Sequence, residues 1–383
     1  MKNYFDLRKI FIWKEELKIF YASIFLFSFA SSILQIFIPL YLFGKGFSIG
    51  LILLFFAVSQ IGRLVSLPIC AHLSSSLGAK KNIVLAYIFS IFYFLLLQTV
   101  KDVSLVFWLS ALLLGLTHAF FWLPLLVHQS KISPNEKRGK ITGRLMIYSD
   151  IASAIGPFLG GIIIAGFGFN YAFFSAILII IPAIGLLLLT PEVSKIRKIK
   201  FRLVNVRKVY PDLIANGFFN FQAYLDFAVW PIFIFLIISR YQTIGFIQTV
   251  SLFISLSAFY LAGKWTDKFN RGKVLFLATV SNSAVGVLRP LANSLLGVFL
   301  FNTASAFTNN LQAVPWNVKL QEHLDQDART EYMFIFEVGG AILSLLGFLT
   351  FMALTQTMFL KDVLIYGLII SALAGLGVNM VRK

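Results

Sequence analysis

Hydrophobic residues form twelve long runs along the chain, and short polar or charged stretches separate them. The runs cover residues 19–43, 48–73, 82–99, 104–128, 141–166, 170–190, 213–238, 244–262, 274–294, 296–318, 332–356 and 362–380. Most contain about 20 residues or more, the length that an α-helix needs to cross a ~30 Å hydrocarbon layer. The pattern therefore predicts an all-α polytopic membrane protein with twelve transmembrane helices, numbered here as spans 1 to 12.

The longest polar stretch divides the spans into two groups of six. It reads PEVSKIRKIKFRLVNVRKVYPD over residues 191–212. We expect an N-terminal segment (1–18), a six-helix bundle (19–190), this linker (191–212) and a second six-helix bundle (213–383). A basic linker can lie along an anionic membrane surface, and a solvated loop that only enforces orientation is an equally good interpretation.

The basic residues predict how the spans are oriented. An even number of spans places both chain ends on one side, and that side holds 27 of the 33 Lys and Arg residues. The opposite side holds four, at Lys45, Lys101, Arg240 and Lys361. Because cytoplasmic loops carry an excess of Lys and Arg, we expect cytoplasmic termini, a cell (plasma or inner) membrane and contact with its anionic inner leaflet.

Composition supports this class and excludes others. The chain is 58% hydrophobic and 13% charged, whereas soluble domains carry about a quarter charged residues. The net charge of +17 follows from the bias toward one membrane side and needs no nucleic-acid partner. Cys70 is the single cysteine, and the four histidines form no ligand-spaced cluster with it. We therefore expect no disulfide, no metal and no cofactor.

Enzymatic activity is not expected either. The sequence contains no Gly-x-x-x-x-Gly-Lys-Ser/Thr loop for ATP. Its scattered histidines and acids also form no paired catalytic constellation. Any transport would therefore be driven by an ion gradient.

Two stretches of the sequence recur at nearly the same offset. GKWTDKFNRGK (263–273), between spans 8 and 9, matches a degenerate AHLSSSLGAKK (71–81), between spans 2 and 3. MIYSDIASAIG (146–156) resembles MFIFEVGGAIL (333–343), which aligns Asp150 with Glu337. The chain is therefore predicted to consist of two related, pseudo-symmetric six-helix halves, the parallel repeat of one transporter class.

These features resemble the major facilitator superfamily, whose loop signature is roughly Gly-x-Leu-Ala-Asp-Arg-x-Gly-Arg-Lys. In the second half, Gly263, Asp267, Lys268 and Arg271 match it. The first half keeps Gly78 and two lysines, but Ser75 replaces the acid and the first-half contact should be weaker.

The resemblance implies that Asp267 acts as a gate. A small residue at Gly263 would let one helix end approach its neighbour, and Asp267 would accept from the start of a facing helix. The resemblance suggests that this facing element is the start of span 5, which carries Arg138 and Arg144. The alternative is an exposed loop acid screened by neighbouring lysines.

Span 5 contains GPFLGG, with Gly156, Pro157, Gly160 and Gly161. It resembles a second signature of the family, Gly-Pro-x-x-Gly-Gly, which accompanies exporters that exchange substrate for protons. The glycines would form a groove for close helix contact, and the proline permits a bend. A role in packing alone is an equally good interpretation. The arginine that the family carries in span 4 is absent, because Ala111 occupies its place.

Buried polarity is concentrated in spans 1, 4, 7 and 10, which line the central cavity in the resembled family. Polar side chains can instead hold helices together, while spans 6 and 12 are nearly bare of them. We predict a substrate cavity lined by Gln35, His118, Trp122, Asn216, Asn220, Tyr224, Asn302, Asn309, Gln312 and Trp316.

Ionisable residues inside spans are costly and suggest function. Five occur here, at Arg63, Asp150, Asp226, Arg289 and Glu337. The resemblance makes spans 2 and 11 neighbours across the two halves, so that Arg63 could pair with Glu337. Asp226 and Arg289 could pair within the second half. We hypothesise that Glu337 or Asp150 takes up a proton; purely structural ion pairs are the alternative.

The function that these patterns favour is secondary active transport of a small molecule by alternating access. One interpretation is a proton-coupled exporter of a lipophilic or cationic compound, which GPFLGG and Asp226 favour. Another is a proton-coupled importer of a polar nutrient of the sugar or nucleoside class, which the amides of span 10 favour. A third is a sensor that kept the fold without transport. A monomer would suffice for any of them.

Overall fold

The computed structural model describes residues 4–132, 138–189, 206–326 and 329–382, and every regular element within these ranges is helical. Two short 3-10 helices follow α10 and α13, at Arg289–Leu291 and Leu376–Met380. The α-helices are α1 (Tyr4–Gln35), α2 (Ile38–Gly44), α3 (Ile49–Ser76), α4 (Ala79–Leu97), α5 (Leu105–Ile132), α6 (Arg138–Phe167), α7 (Phe169–Leu188), α8 (Val206–Ile238), α9 (Tyr241–Lys268), α10 (Arg271–Leu288), α11 (Leu295–Gln326), α12 (Arg329–Leu354) and α13 (Leu360–Gly375).

Helices α1 and α2 together form span 1, and α3 to α13 form spans 2 to 12. The break between α1 and α2 precedes Pro39, which lies in the first turn of α2. Proline has no N–H to donate to the carbonyl of Gln35 and its ring crowds that carbonyl, so the helix is interrupted there.

Eleven of the described segments are long and apolar enough to cross a membrane. Helix α11 has the length, 32 residues, but its amide side chains reduce its apolar character. The prediction of an all-α polytopic fold is confirmed. Which side of the membrane holds the termini stays a prediction.

The predicted linker is shorter than its polar sequence suggests. Helix α8 begins at Val206, so the last seven residues of the stretch 191–212 are helical, and residues 191–205 lie outside the described ranges. Pro211 lies inside α8, where it has no N–H to donate to the carbonyl of Arg207. The predicted N-terminal segment is likewise helical from Tyr4.

Helix pairing shows the internal repeat. In the first half α1 packs on α6 and α7, and α5 packs on α3 and α4; in the second half α8 packs on α12 and α13, and α11 on α9 and α10. The two halves meet along equivalent pairs, α3 with α12 and α9 with α6. We call these two interfaces the α3/α12 seam and the α6/α9 seam.

A glycine of α5 allows this helix to approach α3 closely. A side chain added at Gly115 would overlap the backbone of Ser59 and Arg63 in α3. This contact positions the backbone of Arg63, one of the five charged residues predicted to lie inside the spans.

A buried carboxylate closes the second half on the side where the chain ends lie. Asp212 of α8 is fully buried and accepts hydrogen bonds of 2.8 Å from the Tyr332 hydroxyl and from the backbone N–H of Arg382. The Nδ1 atom of His323 lies 3.1 Å from the same carboxylate. One side chain therefore joins α8, α11, α12 and the C-terminal segment.

Replacing this carboxylate should destabilise the fold. Asp212→Ala leaves buried polar partners unsatisfied and removes the acid opposite Arg382, so we expect the free energy of unfolding to fall by about 3 kcal/mol. Thermal unfolding of the purified protein measures this. The control is Asp102→Ala, which removes an exposed acid. Equal stability of the two variants would contradict the role given to Asp212.

Candidate functional site

The α3/α12 seam contains a buried ion pair. Arg63 of α3 and Glu337 of α12 have side chains at most 5% exposed. The Nε atom of Arg63 donates to Glu337 Oε2 over 3.2 Å, and its Nη2 atom pairs with the same oxygen. The pairing expected from the sequence is present, and it joins the two halves of the chain.

Amide side chains surround this pair. Arg63 Nη1 donates to Asn220 Oδ1 over 3.0 Å and to Gln60 Oε1 over 3.4 Å. Asn220 Nδ2 donates to Asn216 Oδ1, and Asn216 Nδ2 to the carbonyl of Phe336, both over 2.8 Å. Asn216 and Asn220 were predicted to line the cavity, but their recorded contacts are with this charge pair and with α12.

A second polar contact crosses between the halves nearby. The Tyr224 hydroxyl of α8 and His118 Nδ1 of α5 share a hydrogen bond, and their ring centres are 5.4 Å apart. Trp122, one turn after His118, is 44% exposed and packs edge-on against Phe121.

Asp150 lies outside this network. Its half-buried carboxylate makes no hydrogen bond or ion pair with the described residues, whereas the adjacent Ser149 shares a 2.9 Å hydrogen bond with Ser28. The aligned acids Asp150 and Glu337 therefore have different surroundings.

The other predicted pair, Asp226 and Arg289, lies within the second half. Arg289 occupies the 3-10 turn after α10, and its Nη1 atom pairs with Asp226 Oδ1. Its guanidinium carbon lies 3.9 Å from the ring centre of Trp230. The Trp230 indole in turn donates to Asn302 Oδ1 over 2.8 Å, so Asn302 orients the aromatic face that Arg289 contacts.

A cavity of about 340 Å³ lies beside this pair, at the lower end of the range for small-molecule sites. Its walls come from α8, α10, α11 and α13, with one residue from α1. The lining residues are Gln35, Phe219, Gln222, Ala223, Asp226, Asn282, Gly286, Arg289, Ser305, Asn309, Asn310, Ala313, Leu368, Ser371 and Ala372.

The cavity differs in part from the predicted one. Of the ten predicted lining residues, Gln35 and Asn309 line it. Gln312 and Trp316 are buried next to it, and Trp316 stacks on Phe219 with ring centres 5.3 Å apart.

Sequence reasoning missed the contributions of spans 9 and 12. Span 12 looked nearly bare, yet Ser371 lines the cavity. Asn282 of span 9 lies in the polar triplet SNS, which was the available signal. Its Nδ2 atom donates to Gln312 Oε1 over 2.7 Å and to Asn309 Oδ1 over 3.2 Å, joining α10 to α11.

The GPFLGG motif packs against two helices. A side chain at Gly156 or Gly160 would overlap Ser32 or Ile33 of α1. A side chain at Gly161 would meet the Tyr241 carbonyl oxygen of α9 at 2.6 Å. The predicted groove exists and contributes to the α6/α9 seam; a coupling role stays a prediction.

An aromatic cluster closes the same seam on the side of the bundle opposite the chain ends, which we call the far side. Tyr241 packs against Phe37, Phe169 and Phe235, with ring centres 6.2, 5.4 and 5.1 Å apart. The backbone N–H of Phe158 also donates to Thr249 Oγ1 over 3.1 Å. The far-side ends of the two halves are therefore in contact.

The loop motif at the junction of α9 and α10 forms contacts within the second half. Arg271 pairs with Glu322 of α11, and Asn270 caps α10 by accepting from the Lys273 N–H over 3.2 Å. Asp267 and Lys268 are exposed.

The contact expected of Asp267 involves Arg138 and Arg144, whose side chains lie outside the described residues. A side chain added at Gly263 meets no described atom within 4 Å, so the described residues give no support to the close approach inferred there. In the first half, Gly78 precedes α4 with φ +100° and Lys80 is buried, while Ser75 donates to the His72 carbonyl over 2.7 Å.

Comparison with known proteins places these observations in a family. The model of the Major Facilitator Superfamily matches residues 20–348. The staphyloferrin B transporter of Staphylococcus aureus is 26% identical over 312 residues, which cover 74% of this chain and 73% of that protein.

Two solved structures share the fold. A D-xylose–proton symporter superposes with a TM-score of 0.68 at 15% identity, covering 94% of each chain. The E. coli fucose:proton symporter superposes with a TM-score of 0.67 at 12% identity, covering 96% of this chain and 97% of that one. At such low identity the likeness shows the fold alone.

A larger residue at Gly161 should open the α6/α9 seam on the far side. Gly161→Val places carbon atoms against the α9 backbone, which cannot give way as a flexible side chain could. Spin labels at the exposed positions 167 and 246 should then show a longer distance between α6 and α9. Gly166→Val is the control, since a side chain there meets no described atom within 4 Å. An unchanged distance in Gly161→Val would show that the glycine is not needed for closure.

Proposed function

The chain belongs to the Major Facilitator Superfamily and is a transporter of small molecules, not an enzyme; on this premise we propose that it moves a polar solute by alternating access, coupled to protons. The observation that carries this proposal is the buried ion pair between Arg63 and Glu337. Among the described residues it is an ion pair that joins the two halves, and alternating access requires the halves to move relative to one another.

A proton on Glu337 would change the strength of the α3/α12 seam. Separating a buried ion pair strands two charges in a medium that solvates them poorly, which costs several kcal/mol. Neutralising Glu337 removes the attraction and leaves a single buried charge. Arg63 would still donate to Gln60 within α3, whereas its bond to Asn220 of α8 crosses between the halves. Protonation would therefore weaken the seam by removing the attraction between the two charges.

The cavity supports a polar solute. Its lining holds the amides of Gln35, Gln222, Asn282, Asn309 and Asn310, which offer both donors and acceptors. Asp226 is paired with Arg289 and is thus not a free acid that would attract a cation. The structural neighbours are named as D-xylose and fucose proton symporters, which agrees with a proton-coupled polar solute.

A second candidate is proton-driven export of a lipophilic or cationic compound. The observation that favours it is the GPFLGG motif, whose glycines hold α6 against both α1 and α9. In this case protons would move inward as the compound moves outward. The direction of the proton gradient that drives transport distinguishes the two candidates.

Glu337→Gln should uncouple transport from protons. The amide nearly preserves shape but cannot ionise, so we expect pH-gradient-driven transport to fall at least about tenfold while exchange of solute at equal pH continues. Proteoliposomes with a pH-sensitive dye inside, tested on a panel of solutes, measure both. Asp150→Asn tests the other predicted carrier, and Asp362→Asn, at the start of α13, is the matched control.

Each result has a direct interpretation. Unchanged gradient-driven transport in Glu337→Gln excludes this residue as the proton carrier, and loss in Asp150→Asn alone would assign that role to Asp150. Solute binding without flux in the wild-type protein would instead favour the sensor interpretation and contradict transport.

A further inference from the structure

Arg289 is an incompletely satisfied charge in the wall of the cavity. A guanidinium has five N–H donors. Within the part of the chain that the structure describes, Arg289 pairs with Asp226 through Nη1, while its buried Nε atom has no hydrogen-bond partner. A buried donor left without a partner is energetically unfavourable, and more so when the group is charged. An acceptor supplied by a ligand would recover this energy.

The surroundings of Arg289 define the ligand further. Its side chain is 5% exposed and Asp226 is 28% exposed, so the carboxylate is the more accessible member of the pair. Among the described residues that line the cavity, these two are the charged ones, and their charges cancel. The remaining polar lining consists of amides and the hydroxyls of Ser305 and Ser371.

We propose that this cavity binds a small hydroxylated organic acid, with its carboxylate on Arg289 and its hydroxyl groups on the surrounding amides. The proposal rests on the proposed function and adds the class of substrate. A planar carboxylate matches the guanidinium fork and can accept two parallel hydrogen bonds. A doubly charged phosphate would place more negative charge beside Asp226 than one guanidinium can balance.

Binding of the acid requires a proton on Asp226. Two carboxylates that share one buried guanidinium carry a net charge of −1, which burial disfavours. If one proton from solvent moves to Asp226 as the ligand binds, the cavity returns to zero charge. No other titratable group faces this pair from the lining of α1, α10, α11 or α13, within the described residues. His118 and Tyr224 pair with each other at the seam.

The test compares acids with their neutral amides. The probes are gluconate, quinate and glycerate, and each is compared with its amide. Binding to the purified full chain is measured by calorimetry and by thermal stabilisation, near pH 5.5 and near pH 7.5. We expect at least one acid to bind at least about tenfold more tightly than its amide, since a charged hydrogen-bonded pair exceeds a neutral one by this much. Because binding takes up one proton, the affinity should rise by up to about tenfold for each unit by which the pH is lowered.

Two variants distinguish loss of the charge at Arg289 from loss of the folded structure. Arg289→Gln should remove the preference for the acid, whereas Arg240→Gln, at an exposed position, should keep it. Asp226→Asn leaves Arg289 in place, so the acid should bind at both pH values with equal affinity. This second variant keeps the test decisive even if Arg289→Gln fails to fold.

The outcomes distinguish this inference from the proposed function. If no acid binds, or if acids and amides bind equally, the carboxylate site is wrong, while transport of neutral solutes would leave the proposed function intact. Binding to Asp226→Asn that still strengthens at low pH would overturn the role of Asp226. Preferential binding of acids with no flux of any solute would support the site and contradict transport.

Discussion

A charged side chain inside a hydrocarbon layer must be met by other polar groups, because lipid offers it no solvation. In this protein the requirement is met twice by pairing, at Arg63 with Glu337 and at Arg289 with Asp226. Each pair then recruits neutral partners: amides of α3 and α8 around Arg63, and the face of Trp230 beneath Arg289. These two arginines therefore account for side-chain contacts of Gln60, Asn220 and Trp230.

The two halves solve the same packing problem in different ways. The α3/α12 and α6/α9 seams occupy equivalent places in the repeat, and Glu337 aligns with Asp150. The partner of Glu337 is Arg63, but the offset that aligns residue 71 with residue 263 places Ser255 opposite it in the second half. One seam is therefore joined by charge, and the other by close contact of Gly161 and Gly245 with facing backbone. The two seams therefore differ in kind: one contains an ionisable pair, and the other depends mainly on shape.

The polarity of α11 has a clear physical origin. Its amides reduce its hydropathy below that of the other long helices, but Asn309, Asn310 and Ser305 face a cavity and not lipid. Polar side chains at this position reduce the favourable contact of the helix with lipid, but they provide hydrogen-bonding groups in the cavity. Behind the cavity, Gln312 and Trp316 are buried against other helices, so α11 both lines the cavity and packs within the bundle.

The sequence by itself determined the helical class, the division into long helices, the internal repeat and the five charges inside the spans. These features depend on local hydropathy and on segment length, because a long apolar segment in a membrane forms a helix that spans it. The family resemblance, which makes spans 2 and 11 neighbours, together with complementary charge also indicated the partners of the two arginines. Only the tertiary structure decided how each amide is used: Asn216 and Asn220 contact the charge pair and α12, while Asn282 and Ser371 line the cavity. Spacing along a helix shows which residues share a face, but the direction of that face depends on tilt and rotation, which contacts between residues far apart in the chain determine.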